Sequence, residues 1–184
     1  IHKLARRLWP INRSITGRGV IESLHMLKTI CPNLKICKIK SGTKVFDWIV
    51  PEEWNVKEAW VKNLKGKKVI DFSKNNLHLV GYSTPVNKTF DFKDLDRHLH
   101  SLKNQPNAIP YVTSYYNKNW GFCLSHKERK KLKKGKYKVY INSNFKKKGF
   151  LTYGEIIIPG ETKKEIFLST NICHPSMANN ELSG

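Results

Sequence analysis

Apolar side chains recur at helical spacing near the start of the chain and at alternating spacing over most of the rest. Residues 19–31 carry an apolar side chain every three or four positions, which predicts a helix with one buried face. Pro32 ends that helix, because proline cannot continue the hydrogen-bond ladder. A shorter helix is predicted over 3–9, and alternation over 34–39 predicts a strand.

Between Gly42 and about Tyr140 the pattern changes to short strand-like runs separated by polar and glycine-containing turns. Strands are predicted at 45–50, 59–63, 68–72, 77–82, 109–112, 121–124 and 136–141. Two helices interrupt them, one over 92–102 with Asp91 as its cap and one over 125–133. The middle of the chain is therefore mostly β, within a sequence that begins and ends as α/β.

Two further strands are predicted at 151–158 and 166–172. The second is apolar on both faces, which is typical of a central strand in a covered sheet. It leads into Cys173-His174-Pro175-Ser176 and a turn of small and polar residues. An imidazole at the end of a buried strand suits a metal ligand in a hydrolytic α/β site. The sequence stops soon afterwards, at Gly184, so we interpret it as the front part of an enzyme.

The chain carries a formal net charge of +20, which makes nucleic acid or another polyanion a candidate partner. Residues 127–148 hold eleven basic side chains and a single acidic one, Glu128. The basic residues are nearly all lysine, whereas base recognition favours arginine. A solvated lysine-rich face is therefore preferred to a nucleic-acid surface, and the latter stays an alternative.

Composition indicates a folded protein without a membrane segment. Hydrophobic residues make up 39% and include five Trp, seven Tyr and eight Phe, enough bulk for a core. No apolar run reaches eighteen residues, and the first residues lack the apolar region of a signal peptide. The cysteines, Cys31, Cys37, Cys123 and Cys173, have irregular spacing and are interpreted as buried thiols of a cytoplasmic protein. A zinc site on Cys123 and His126 is a minor alternative.

Several segments, in a fixed order, are similar to one bacterial family. They are Leu8-Trp9-Pro10-Ile11, Arg13-Ser14-Ile15-Thr16-Gly17, Ser41-Gly42-Thr43-Lys44-Val45-Phe46-Asp47-Trp48, Asn76-Leu77-His78, Tyr82-Ser83-Thr84-Pro85-Val86, Ile109-Pro110-Tyr111-Val112-Thr113-Ser114-Tyr115-Tyr116, Trp120-Gly121-Phe122-Cys123-Leu124-Ser125, Leu151-Thr152-Tyr153-Gly154-Glu155 and Cys173-His174-Pro175-Ser176. Together they resemble the aminopeptidase-like proteins of uncharacterised function that are often associated with polysaccharide biosynthesis clusters. The resemblance spans nearly the whole chain.

The resemblance implies an α/β fold: a zinc-exopeptidase-like, three-layer α/β/α domain split by a small β-rich insertion, with a winged helix at the C-terminus of full-length members. Residues 1–41 and 146–184 would form part of the peptidase-like domain, and 42–145 the insertion. The remainder of the catalytic domain and the winged helix are not in this sequence.

The resemblance also implies a zinc site. His174 matches the first ligand, and Asn180 occupies the position at which related enzymes place an aspartate that bridges two metal ions. A carboxylate offers charge and two oxygens to a metal pair, whereas an amide offers one neutral oxygen. Glu181, the next residue, could offer a carboxylate from a different direction. The sequence thus keeps one ligand and departs from the family pattern at the bridge.

Other residues have weaker claims. Arg13, Ser14 and Thr16 are expected to cap a helix rather than line a cleft. The histidines His78, His98, His100 and His126 are expected to be structural or on the surface, and the tryptophans Trp48, Trp54, Trp60 and Trp120 to fill the core of the insertion. Asp47 is a lone candidate carboxylate.

The sequence thus predicts part of a zinc-dependent aminopeptidase-like hydrolase, inactive by itself, whose substrates would be peptides or small amides. A basic module that binds a polyanion, or a homologue without enzymatic activity, are the alternatives.

Overall fold

A computed structural model describes residues 2–176 of the chain. Helices are α1 (His2–Leu8), α2 (Arg18–Lys28), α3 (Phe92–Asp96) and α4 (His126–Lys130). Strands are β1 (Lys35–Lys40), β2 (Lys44–Val45), β3 (Trp48–Ile49), β4 (Glu53–Asn63), β5 (Lys68–Asp71), β6 (Val86–Asp91), β7 (Leu99–His100), β8 (Phe122–Cys123), β9 (Lys136–Lys146) and β10 (Phe150–Glu155). The mixed α/β character predicted from the sequence is confirmed.

The chain divides into two compact units. The first contains the described residues of Ile1–Glu53 and Lys146–Gly184, and the second is Trp54–Phe145. The division at 53/54 lies twelve residues beyond the boundary expected from the sequence, at 41/42. The second division lies at 145/146. The assignment of these parts to a three-layer peptidase domain and an insertion stays a prediction.

In the first unit, helix α2 packs against a two-stranded antiparallel sheet. Strands β1 and β10 pair from Lys35 opposite Glu155 to Lys40 opposite Phe150. The apolar positions of α2 meet Leu34 in a small core that Val20 and Leu24 help to form. The helical spacing of the apolar residues in the sequence therefore places them on the one face of α2 that packs against this core.

In the second unit, the main feature is a four-stranded sheet in the order β5-β4-β9-β6. Along β9 the side chains alternate between buried and exposed, with Tyr137, Val139 and Ile141 on the buried face. Helix α4 begins with a capping box in which Ser125 accepts from the Glu128 backbone N–H and the Glu128 carboxylate accepts from the Ser125 backbone N–H. This arrangement satisfies two amide groups at the helix start.

Several predicted elements are wrong in type or extent. Residues 45–50 form the hairpin of β2 and β3 rather than one strand. Residues 77–82, expected to form a strand, begin within a short 3-10 helix, Asn76–His78. The Asn75 side chain caps this helix by accepting a hydrogen bond from the Leu77 amide at 2.9 Å. The helix expected over 92–102 ends at Asp96, and Leu99 and His100 pair with β8 instead.

Two of the expected strands do not form. Residues 109–112 lie in irregular backbone, and only Thr113 makes an isolated bridge, to Gly81. The apolar run 166–172 also lies outside the strands. A strand requires a neighbour that accepts and donates its backbone hydrogen bonds, and no strand of residues 2–176 pairs with this run. Its side chains Ile166, Phe167 and Leu168 are consequently exposed.

Within residues 2–176, none of the helices combines the length and the apolar character needed to span a bilayer. A cytoplasmic location stays a prediction.

Candidate functional site

The segment that carries His174 is held to the first unit on both sides of the histidine. Ile172 packs against the core formed around α2, and Pro175 is buried. Ser176 has a φ of 50° and donates a hydrogen bond from its hydroxyl to the Trp9 carbonyl at 3.3 Å. A non-glycine residue in the left-handed region is uncommon and persists where neighbouring contacts fix it. His174 thus has a defined position although no strand precedes it.

His174 itself is half-buried, and its Nδ1 lies 3.8 Å from the Cys173 thiol sulfur. Imidazole and thiolate are both zinc ligands, yet a stable zinc site uses three or four protein ligands. Within residues 2–176, no three His, Cys, Asp or Glu side chains gather closely enough to hold a metal ion. Asn180, the other predicted ligand, lies outside the described residues. The described residues alone therefore do not fit a zinc site.

The loop before α2 contains Arg13, Ser14 and Thr16, and the structure corrects their expected role. The residue at the N-cap is Gly17, with a φ of 93°, and no side chain caps the helix. The Ser14 hydroxyl instead donates to the Thr16 carbonyl at 2.9 Å, and Arg13 donates to the Leu8 carbonyl. All three side chains are buried. Their hydrogen bonds therefore hold the loop between α1 and α2.

Of the histidines, His78 and His98 are fixed by backbone carbonyls. His78 is buried, with Nδ1 2.7 Å from the Cys123 carbonyl. His98 places Nδ1 2.9 Å from the Trp120 carbonyl and stacks on the Trp120 ring at 3.8 Å. These contacts agree with the structural role expected for both residues.

The other two histidines lie near a basic side chain. Burial, with further contributions from the Arg129 guanidinium and His98, lowers the pKa of His100. His126 has its Nδ1 3.1 Å from the Ser101 hydroxyl oxygen. Arg129 makes an ion pair with Asp96 at 2.8 Å. The environment of both histidines favours the neutral imidazole near neutral pH.

The cysteines are not uniformly buried as the sequence suggested. Cys123 is fully buried, Cys37 and Cys173 are half-buried, and Cys31 is exposed. Burial raises the pKa of the Cys123 thiol to about 12. A protonated thiol is a poor nucleophile. Among residues 2–176, no third His, Cys, Asp or Glu joins Cys123 and His126 in a group that could hold a metal ion, which argues against the minor alternative of a zinc site there.

At pH 8, iodoacetamide is expected to alkylate Cys31 in the native protein and to leave Cys123 unmodified. The folded-state pKa of Cys123 lies above its ordinary value, so the thiol stays protonated at pH 8 and at every lower pH. Mass spectrometry of the alkylated peptides measures both sites. Alkylation in concentrated urea is the control, in which all four cysteines should react. Rapid labelling of Cys123 before unfolding would contradict the burial of this thiol.

The tryptophans of the middle segment serve different purposes. Trp54 is buried and stacks on Tyr82 at 5.6 Å, as expected for a core residue. Trp120 is half-buried against His98. Trp60 instead lies beside Tyr140, with ring centroids 5.2 Å apart, and Lys62 lies over its ring at 4.3 Å. The expectation that all of them fill the core is therefore wrong for Trp60.

Trp48 and Asp47 both lie in the β2–β3 hairpin. Trp48 is half-buried in the β2–β3 hairpin. Asp47 is exposed in the turn of that hairpin. Cys173 and His174 lie side by side, with the thiol sulfur 3.8 Å from the imidazole Nδ1. The Trp60–Tyr140 pair was missed, although the alternation over 136–146 already put Tyr140 on the same face as Lys136 and Lys138.

Comparison with known proteins identifies longer relatives. A Clostridium acetobutylicum protein named "Putative polysaccharide biosynthesis protein with aminopeptidase-like domain" is 50% identical over all 184 residues, which is 42% of its own length. A crystal structure of a "putative peptidase" from the same organism superposes with a TM-score of 0.93 at 49% identity, covering 97% of this chain and 42% of that one. The chain thus spans less than half the length of these relatives.

The predicted resemblance to aminopeptidase-like proteins agrees with the names of both relatives. A family model, described as "Domain of unknown function (DUF2172)", matches residues 53–144, which nearly coincide with the second compact unit. Because that model covers half of the sequence, the chain belongs to the DUF2172 family.

Proposed function

We propose that this chain forms part of an aminopeptidase-like hydrolase that cleaves peptide or small amide bonds. The observation that carries the proposal is the 50% identity, over every residue of the chain, to a relative with an aminopeptidase-like domain. The 49% identity to the peptidase structure supports it. The name of the first relative also suggests a link to polysaccharide biosynthesis.

In this proposal His174 supplies one zinc ligand from the first unit. Its support is local: Ile172 and Ser176 hold the segment on both sides, so the imidazole is positioned before any metal binds. Zinc in a hydrolytic site polarises a carbonyl and activates a water molecule. The described residues provide a single His at this position, so the further ligands would come from outside residues 2–176. Asn180 at the bridging position would weaken a two-metal site.

The 184-residue chain is expected to show no turnover of aminoacyl p-nitroanilides with added Zn²⁺. A longer polypeptide that contains these 184 residues and matches the relatives in length should hydrolyse the aminoacyl p-nitroanilides. His174→Ala in the longer polypeptide should lower kcat/KM at least about a hundredfold. Replacing a residue that only hydrogen-bonds to a metal ligand already costs about 10- to 100-fold in activity, and removing the ligand itself should cost more. Initial rates and zinc content by mass spectrometry measure both effects.

His25→Ala is the matched control, since His25 is an exposed histidine on α2 and should leave activity unchanged. Turnover by the 184-residue chain that His174→Ala abolishes would contradict its proposed inactivity. An active longer polypeptide in which His174→Ala has no effect would overturn the role of His174.

A further inference from the structure

One face of the four-stranded sheet in the second unit is open and combines aromatic rings with lysines. On β9 the exposed side of the alternation carries Lys136, Lys138 and Asn142, with half-buried Tyr140 between them. Residues directly opposite each other in an antiparallel pair share a face. Asn87 and Thr89 of β6 lie opposite Tyr140 and Lys138, and so belong to the same face. Strand β4 adds Trp60 and Lys62, placed by the ring contact with Tyr140.

The two aromatic rings occupy the middle of this face. In the strand order β5-β4-β9-β6, Trp60 and Tyr140 come from the two central strands. Their ring centroids are 5.2 Å apart with an angle of 29° between the planes. The core lies on the other side of β9, where Val139 and Ile141 are fully buried. The ring pair is therefore placed on the open side, where it contributes least to the core.

The charge of this unit matches a polyanion. Residues 54–145 contain nineteen lysines and arginines and six acidic residues. On the sheet face, Lys62 lies over the Trp60 ring and Lys138 adjoins Tyr140 along β9. Three carboxylates share the face: Asp71 lies 3.1 Å from the Lys68 ammonium, Glu58 accepts a hydrogen bond from the Trp60 indole N–H at 2.9 Å, and Asp91 lies opposite Lys136. The lysines of the face, Lys62, Lys68, Lys136 and Lys138, outnumber them by one, so most of the positive excess belongs to the unit as a whole.

We propose that this face, defined by Trp60, Tyr140, Lys62, Lys136 and Lys138, binds single-stranded nucleic acid. Bases stack on the aromatic rings, and the lysines neutralise the phosphates. Stacking needs bases that are free of a duplex, so a sheet face that carries aromatic rings suits a single strand. Lysine as a point charge suits phosphate contact without base recognition, so the binding should be tolerant of sequence. The proposal is independent of the peptidase function.

The probe is a fluorescein-labelled oligouridine of about ten nucleotides, and binding to the 184-residue chain is followed by fluorescence anisotropy. The association constant should fall steeply with salt, with a log–log slope of roughly −2 for three lysine contacts. Trp60→Ala and Tyr140→Ala should each weaken binding about fivefold or more. Tyr140→Phe keeps the ring and should bind as the parent does. Lys138→Gln should reduce the slope by about 0.7.

Two control variants change the same side-chain types away from the sheet. Tyr116→Ala removes an exposed ring, and Lys118→Gln removes an exposed charge in the same loop. Both should bind as the parent does. Absence of binding at low salt overturns the proposal. Equal binding by Trp60→Ala, with its folding checked by circular dichroism, would show a charge-only interaction and also overturn it. Tight binding of a neutral oligosaccharide that displaces the oligouridine would reassign the face to a sugar ligand.

Discussion

Replacing Gly19 with alanine is expected to lower the free energy of unfolding of the first unit by about 2 kcal/mol. A Cβ on Gly19 would lie 1.9 Å from the Asn12 carbonyl oxygen and 2.7 Å from its carbonyl carbon. Both are backbone atoms, so no side-chain rotation relieves the contact. The loop between α1 and α2, which Arg13 and Ser14 hold by hydrogen bonds, would have to move.

Helix propensity works in the opposite direction at this position but is too small to prevail. Alanine in a helix is favoured over glycine by about 1 kcal/mol. Displacing backbone in a packed loop typically costs about 1–3 kcal/mol and sometimes more. Gly19 is therefore the residue that allows α2 to approach the loop before it, and the net effect should be destabilising.

Urea unfolding, followed by circular dichroism, measures this change. Gly160→Ala is the matched control, because a Cβ there meets no atom within 4 Å and its φ lies outside the left-handed region. Its effect should stay within about 0.5 kcal/mol. If Gly19→Ala were as stable as Gly160→Ala, the backbone at Asn12 could move away from the new Cβ without a measurable cost in stability, which would contradict the prediction.

Local sequence signals predicted the helices that do not depend on distant partners. The spacing of Val20 and Leu24 identified α2, and the helix predicted over 125–133 contains α4, which ends earlier, at Lys130. Ser125 and Glu128 satisfy each other's amides within four residues, so the sequence alone contains the whole interaction. The cap of α2 was wrong because Ser14 bonds within its own turn, and serine side chains compete for several nearby backbone groups.

The strands were predicted less well, because a strand depends on neighbours far along the chain. Strand β6 was missed, since it lies at the edge of its sheet and its exposed positions Asn87, Lys88 and Thr89 show no apolar alternation. Strand β9 extends five residues beyond its predicted end at 141. The polar residues Asn142 and Asn144 there occupy the exposed face, so the pairing continues where hydrophobicity declines.

The assignment of His174 to a metal site stays a prediction, whereas the strand expected before it does not form. His174 was identified from the apolar run before it and from family resemblance, and the structure describes its anchoring through Ile172. The apolar run itself was assigned to a sheet centre on hydrophobicity alone. Hydrophobicity indicates that a segment is to be covered, but it does not say which segment covers it.

Serine substitutions at Ile166, Phe167 and Leu168 are expected to weaken self-association of the 184-residue chain about a hundredfold. These side chains are 91, 89 and 88% exposed, a contiguous apolar run of a kind that soluble monomers rarely display. Burying three large apolar side chains between two copies is favourable by about 5 kcal/mol or more. Packing between two copies covers only part of each side chain, so the expected change is smaller than full burial implies.

Sedimentation velocity over a range of protein concentrations measures the association constant for the parent and the triple variant. Leu64→Ser is the matched control, because Leu64 is 74% exposed in the turn between β4 and β5 and stands between Asn63 and Lys65 rather than in an apolar run. It should associate as the parent does. A parent chain that stays monomeric, or a triple variant that associates equally, would contradict the prediction. Weakened association in the triple variant alone would identify residues 166–168 as the apolar surface that is buried on association. Burial by another chain segment would explain why this run has the apolar sequence of a buried strand.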